Sequence, residues 1–252
     1  PASAGEFSFR AFMNGKIDLT QAEGISELIS AKSGLAVKNG LKNINGFVSK
    51  SIENIRKKII NMLSIIEHEL DFSEEEIEQT NKEQHILEIA TVKNEIRKLV
   101  KTTTVGKTLS YGSRVVLFGH PNAGKSSLFN YLLGYERTIV SNRSGTTRDV
   151  VEAWIEIEGV AVCLVDTAGY WDNSKNLIEV EGIERTKSQV EKADVVLFLD
   201  EKDPIKSYET AKNELNFKKV FLIKTKSDIK KIKPTKKTKI LEISSKNGSG
   251  ID

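Results

Sequence analysis

Apolar residues in the first hundred positions recur at helical spacing. Ile25, Leu28 and Ile29 begin a stripe. After a zone of small residues around Gly34 and Gly40, the positions Leu41, Ile44, Val48, Ile52, Ile55, Ile59, Leu63, Ile66 and Leu70 return every three or four residues, the pattern of one long amphipathic helix. Thr20 with Glu23 has the form of a capping box that opens the first of these helices. Ser73-Glu-Glu-Glu76 interrupts the pattern as a charged connection, and a second stripe at Ile86, Ile89, Ile96, Leu99 and Val100 is expected to return antiparallel. Each helix needs a partner for its apolar face, so the expectation is an incomplete α-helical bundle.

The period then changes. Residues 101–113, rich in Thr, Gly and Lys, read as a linker. Beyond them strand-like runs at Val115–Phe118, Val150–Ile157, Val160–Val165, Val195–Leu199, Val220–Ile223 and Ile240–Ile243 alternate with helical segments near 127–134, 180–191 and 205–215. Such alternation predicts an α/β domain, a mainly parallel sheet with helices on both faces. Glu158-Gly159 between adjacent runs predicts one antiparallel hairpin at its edge.

Composition narrows this little. A chain of 252 residues has room for about two domains, and its formal charge of +3 does not announce a nucleic-acid binder. Cys163 is the one cysteine, set in an apolar run; it reads as a buried strand residue in a protein of the reducing cytoplasm. No apolar run approaches the length of a membrane span. The opening Pro1–Phe12, without an initiator methionine, and the ending Gly248–Asp252 lead us to expect a fragment.

The chemistry begins where the first strand ends. Gly119, Gly124, Lys125 and Ser126 fit G-x-x-x-x-G-K-[ST], a loop whose backbone N–H groups cradle phosphates ahead of a helix, and Val115–Phe118 supplies the strand that the motif requires. Gly106-Lys107-Thr108 repeats the GK[ST] triplet without such a strand and is set aside. Ligands of α/β sheets sit at the C-terminal strand ends. Further motifs fall there: Asp166-Thr167-Ala168-Gly169, a D-x-x-G; Thr225-Lys226-Ser227-Asp228; and Ser244-Ser245-Lys246. Between loop and hairpin lies Ser141-Asn-Arg-Ser-Gly-Thr-Thr-Arg-Asp149, whose Thr hydroxyls suit a magnesium shell.

This constellation resembles the translation-factor-related GTPases, in which the aspartate of Asn-Lys-x-Asp accepts both N–H groups of guanine. Here Thr225 replaces the Asn and Asp228 supplies the acceptors. Taken with Gly5-Glu-Phe-Ser-Phe-Arg-Ala-Phe-Met-Asn-Gly-Lys-Ile-Asp-Leu-Thr-Gln-Ala-Glu23, the chain is similar to the family of the tRNA modification GTPase MnmE, also called TrmE. The resemblance implies a Ras-like P-loop GTPase domain at residues 109–252. It also implies the first half of a helical bundle domain at 20–108 and, at 1–19, the tail of a folate-binding domain. The implied activity is GTP hydrolysis coupled, with the flavin-dependent MnmG, to aminomethyl or carboxymethylaminomethyl addition at the wobble uridine of tRNA, by a homodimer.

Roles follow by position. Residues 122–127 (Asn122, Ala123, Gly124, Lys125, Ser126, Ser127) form the phosphate loop. Ser126 and Thr147 match magnesium ligands; Asn122, Ser141, the backbone of Arg143, and Thr146 match a potassium site. Lys16 matches a contact to a tetrahydrofolate derivative. Glu179 matches the residue that orients the attacking water, with Glu181 as the competing choice, since Tyr170 and Trp171 stand where Ras-like enzymes place a Gln. His120 stands where the family often has Arg. His68 and His85 receive no metal role, and the basic stretch 230–239 reads as a solvated loop ahead of a tRNA contact. The alternative reading is a GTPase switch of the ribosome-assembly type.

Overall fold

The computed structural model describes residues 1–71, 82–135, 137–139, 151–167, 186–213, 215–229 and 240–251. The chain divides into two compact units, Pro1–Tyr111 and Gly112–Asp252.

The first unit is helical: α1 (Glu6–Met13), α2 (Leu19–Ser30), α3 (Gly34–Ile44), α4 (Phe47–Asp71) and α5 (Lys82–Tyr111). The cap of α2 is Asp18, not Thr20. Its carboxylate accepts from the amide of Gln21, and the Gln21 side chain accepts from the Asp18 amide, closing the capping box two residues earlier than the Thr20–Glu23 spacing implied. Thr20 donates to Asp18 Oδ1 at 2.7 Å, and Ser49 at the start of α4 donates to Oδ2 at 2.6 Å. Asp18 therefore ties two helices together, and those hydroxyl hydrogen bonds hold its pKa below the ordinary carboxylate value.

The long stripe from Leu41 to Leu70 is carried by two helices, not one. Asn45 caps α3 and Gly46, at φ +73°, reverses the chain before Phe47, a conformation that costs glycine little. The hydrophobic period survives the break because α4 restarts in the same phase. Helices α2 and α3 cross backbone to backbone at Gly24 and Gly40, where a Cβ on Gly24 would lie 2.9 Å from the amide nitrogen of Ile44. The last two helices are antiparallel, as Lys58–Glu95 (2.6 Å) and His85–Glu69 (3.0 Å) show. Residues 101–111, expected as a linker, complete α5. Thr102 returns its hydroxyl to the Leu99 carbonyl, and Ser110, buried, accepts from Asn39 of α3, so tertiary contact overrides weak helix propensity. Ile52, Ile59, Leu63, Ile86, Ile89 and Val100 stay exposed along α4 and α5.

The second unit carries a sheet of order β2-β3-β4-β1-β5-β6-β7, with β1 (Ser113–Gly119), β2 (Arg137–Ile139), β3 (Val151–Ile157), β4 (Val160–Asp166), β5 (Val195–Asp200), β6 (Val220–Lys224) and β7 (Leu241–Glu242). Only β2–β3 and β3–β4 pair antiparallel. The expected hairpin at Glu158-Gly159 is present, but β2, too short for a sequence pattern to reveal, lies outside it at the edge. Strand β1 is central because both its faces are apolar. Val116 and Phe118 pack with Cys163, Val196, Phe198 and Ala211 on one side; Leu117 packs with Leu128, Phe129, Leu164 and Ile223 on the other. Helix α6 (Lys125–Tyr135), the helical residues 186–192 and α7 (Pro204–Lys212) supply the covering layers. The result is the expected α/β fold, a three-layer sandwich with parallel strands at its centre.

Candidate nucleotide-binding site

The phosphate loop leaves β1 at its C-terminal end, between the neighbouring strands β4 and β5. At Gly119 a Cβ would stand 2.1 Å from the Leu199 carbonyl oxygen, so the strands approach too closely for any side chain there. Asn122 takes φ 63° and Gly124 φ 89°, and the backbone curls around Lys125. Its ammonium donates to the carbonyls of Gly119 (3.1 Å) and His120 (2.8 Å) and is 6% exposed. Burial lowers the Lys125 pKa, and the Asp166 charge opposes that shift. A buried cation at the N-terminus of α6, where free amides and the helix dipole add positive potential, is an anion site.

Asp166 closes the other wall at the end of β4. Ser126 donates to its Oδ2 at 2.7 Å, while Oδ1 is buried and has no hydrogen-bond partner among the described residues. Burial raises the Asp166 pKa; the Ser126 hydrogen bond and the Lys125 charge act against it. An orphaned carboxylate oxygen beside a hydroxyl is a donor set for a hard divalent cation, and Mg²⁺ fits these residues. Thr167, read from the sequence as nucleotide-facing, is buried with its hydroxyl donating to the Leu117 carbonyl at 2.7 Å, which fixes the strand end from which the D-x-x-G segment departs.

The far wall comes from β6 and β7. Buried Thr225 donates to the Ala123 carbonyl at 2.8 Å, so the residue that replaces the usual Asn grips the phosphate loop. Asp228 is exposed and accepts from Ser244 Oγ at 2.7 Å, a hydrogen bond that holds its pKa below the ordinary value. Ser244 is itself locked: its amide donates to the Ser249 carbonyl and its carbonyl accepts from the Gly248 amide, both at 2.9 Å. Lys246 N–H reaches Ser244 Oγ at 3.4 Å, and Ser245 is half-buried in the same turn.

The structure thus joins Ala123, Gly124, Lys125 and Ser126 with Asp166 on one side and Thr225 on the other, and joins Asp228 with Ser244. Asn122 and Ser127 are exposed at the loop and at the first turn of α6. Lys16 belongs to the helical unit, exposed in the bend after α1, its amide bonded to the Ala11 carbonyl at 2.9 Å. Ser141, Arg143, Thr146, Thr147, Ala168, Gly169, Glu179 and Glu181 lie outside the described residues, as do the basic stretch 230–239 and the charged connection after α4. Sequence reading passed over the end of β5. There Asp200 accepts from the amides of Lys202 (2.6 Å) and Asp203 (2.8 Å) and from Ser207 Oγ (2.8 Å), and its carbonyl accepts from Thr225 N–H at 3.0 Å. The rule that ligands sit at strand ends would have found it, since β5 lies between β1 and β6.

The family model for the MnmE helical domain matches residues 19–252, running through both compact units. The chain belongs to the MnmE family. The tRNA modification GTPase MnmE of Aquifex aeolicus is 41% identical over 260 aligned positions, covering 100% of this chain and 57% of that protein. The MnmE of Caldicellulosiruptor saccharolyticus is 44% identical over 204, covering 81% of this chain and 45% of its own length. The chain therefore spans about half the length of the MnmE relatives it matches. Among solved structures, the G domain of the T. maritima FeoB iron transporter is 30% identical over 55% of this chain and 91% of that one, with a TM-score of 0.43.

Proposed function

We propose that this chain binds and hydrolyses GTP and is the GTPase part of a tRNA-modifying enzyme of the MnmE kind. The observation that carries the reading is the convergence on one loop of a buried lysine, a carboxylate with an orphaned oxygen, and a threonine from the base-reading strand end. Lys125 and the α6 amides hold the phosphates, and Asp228 with Ser244 reads the base. A negative acceptor matches the paired N–H groups of guanine and leaves adenine unsatisfied. Ser126, Asp166 and Thr147 would hold Mg²⁺, which supplies positive charge against the terminal phosphates when bound.

Finer parts of the reading rest on the family likeness. Asn122, Ser141, Arg143 and Thr146 hold potassium next to the phosphates, and Glu179 orients the attacking water. Lys16 contacts a tetrahydrofolate derivative in the longer protein, which works as a cytoplasmic homodimer with MnmG on the wobble uridine of tRNA. The relatives' name, tRNA modification GTPase, supports the pathway.

The test is base selectivity. Replacing Asp228 by Asn turns an acceptor toward guanine into a donor, so GTP affinity should fall by about a hundredfold, the scale of a lost charged hydrogen-bond pair, while xanthosine triphosphate binding improves. Unchanged GTP affinity in titration calorimetry would overturn the assignment of the β6 end as base reader.

A further inference from the structure

Lys226 lies between Thr225, which holds the phosphate loop, and Asp228, which reads the base, so a nucleotide spanning both must pass it. Among the described residues it is one of three non-glycine residues with positive φ (57°), an uncommon conformation, and its side chain reaches the end of β5. There its ammonium meets Glu201 Oε2 at 2.5 Å. Glu201 is not placed by chance. It follows Asp200, whose side chain gathers the amides of Lys202 and Asp203 and whose carbonyl holds the amide of Thr225 at 3.0 Å. The carboxylate is thus built into a turn that is itself bonded to the strand end carrying Lys226, and little chain entropy is lost in forming the pair.

We infer that Glu201 is a positioning residue for the nucleotide site: it draws the Lys226 ammonium outward so that the lysine's methylene stem lies along the base shelf, not with its charge turned into the phosphate loop. This rests on the nucleotide reading above. Lysine covers apolar or aromatic surface with its stem when its charge has a partner beyond it. The Lys226 hydrogen bond and charge hold the Glu201 pKa below its ordinary value, so the carboxylate is ionised throughout the neutral range. Both side chains are about 40% exposed, so salt screens the pair and its contribution is modest.

The test is a double-mutant cycle on the whole 252-residue chain, reading dissociation of a fluorescent GDP analogue from wild type, Glu201→Gln, Lys226→Met and the double variant. Glu201→Gln should speed release by about two- to fivefold, the range an exposed ion pair can supply. In the Lys226→Met background, where the stem remains without charge, the same change should have no effect. Raising salt should speed release from wild type and leave Glu201→Gln unmoved by this route. A silent Glu201→Gln, or an equal effect in both backgrounds, overturns the proposal. If wild type binds GDP and Asp228→Asn loses it while Glu201→Gln is silent, the nucleotide reading stands and only the positioning role falls. If wild type binds no GDP, both fall.

Discussion

The hydroxyl of Thr225 donates to the carbonyl of Ala123 across 2.8 Å, closing a link between residues 102 positions apart. The β6 end proposed to read the base and the loop proposed to hold phosphate are therefore directly linked, although they are encoded on different strands.

Thr225→Val keeps the shape and removes the donor, leaving a buried carbonyl unpaired at a cost of about 1–2 kcal/mol. GDP release should quicken by roughly five- to thirtyfold, and Thr225→Ser should restore most of it. Stopped-flow displacement measures this; wild-type rates in the Val variant would mean that the link does not hold the loop.

Asp166 supplies a prediction in pH. Its folded pKa is raised by burial, so in the ligand-free protein the carboxylate form is disfavoured relative to the unfolded chain. The stability that preference gives is fully present below the ordinary carboxylate pKa and is lost as pH rises through the raised folded value. Asp166→Asn removes the buried charge. At neutral pH it should raise the ligand-free melting point by about 2–4 °C, the shift that 1 kcal/mol gives a domain of this size, and in acid, where Asp166 is neutral anyway, the gain should vanish. Melting at both pH values decides the sign. Magnesium-dependent nucleotide binding should weaken in the same variant.

The mechanism of hydrolysis is tested through monovalent salt. GTP turnover should rise at least about tenfold in potassium over sodium, the scale of one added charge-stabilising contact, and Asn122→Ala should abolish that response. Glu179→Ala should lower turnover without weakening GTP binding. Rates are to be read at several protein concentrations, so that any contribution from pairing of two GTPase units is seen; equal rates in both salts at every concentration would remove the potassium mechanism while leaving the fold intact.

Much of this was legible in the chain because the determining signals are local. The run Val115–Phe118 followed by Gly119 and Lys125 predicts strand, loop and helix in one reading, and the structure places them so. Periodicity misled where a break preserves phase, as at Asn45-Gly46, and where a tertiary partner rescues a weak helix, as Asn39 does for Ser110. The Asp18 cap lost to Thr20 because either spacing satisfies the pattern; only Ser49, in a different helix, decides between them. The partners of Asp200 and Glu201 were hidden for the same reason, since Lys226 is recognised as their neighbour only once β5 and β6 lie side by side.

The order β4-β1-β5-β6 has a consequence for synthesis. Strand β1 and its loop leave the ribosome early, yet the carbonyl that packs on Gly119 belongs to Leu199 and the hydroxyl that grips Ala123 belongs to Thr225. A nascent chain that has emerged only as far as α6 carries every residue of the phosphate motif and none of its support. Non-local pairing of this kind forms late, so these two supports of the loop close with the sheet rather than as the motif appears. For a growing polypeptide, the loop gains the second of these supports only with the emergence of β6.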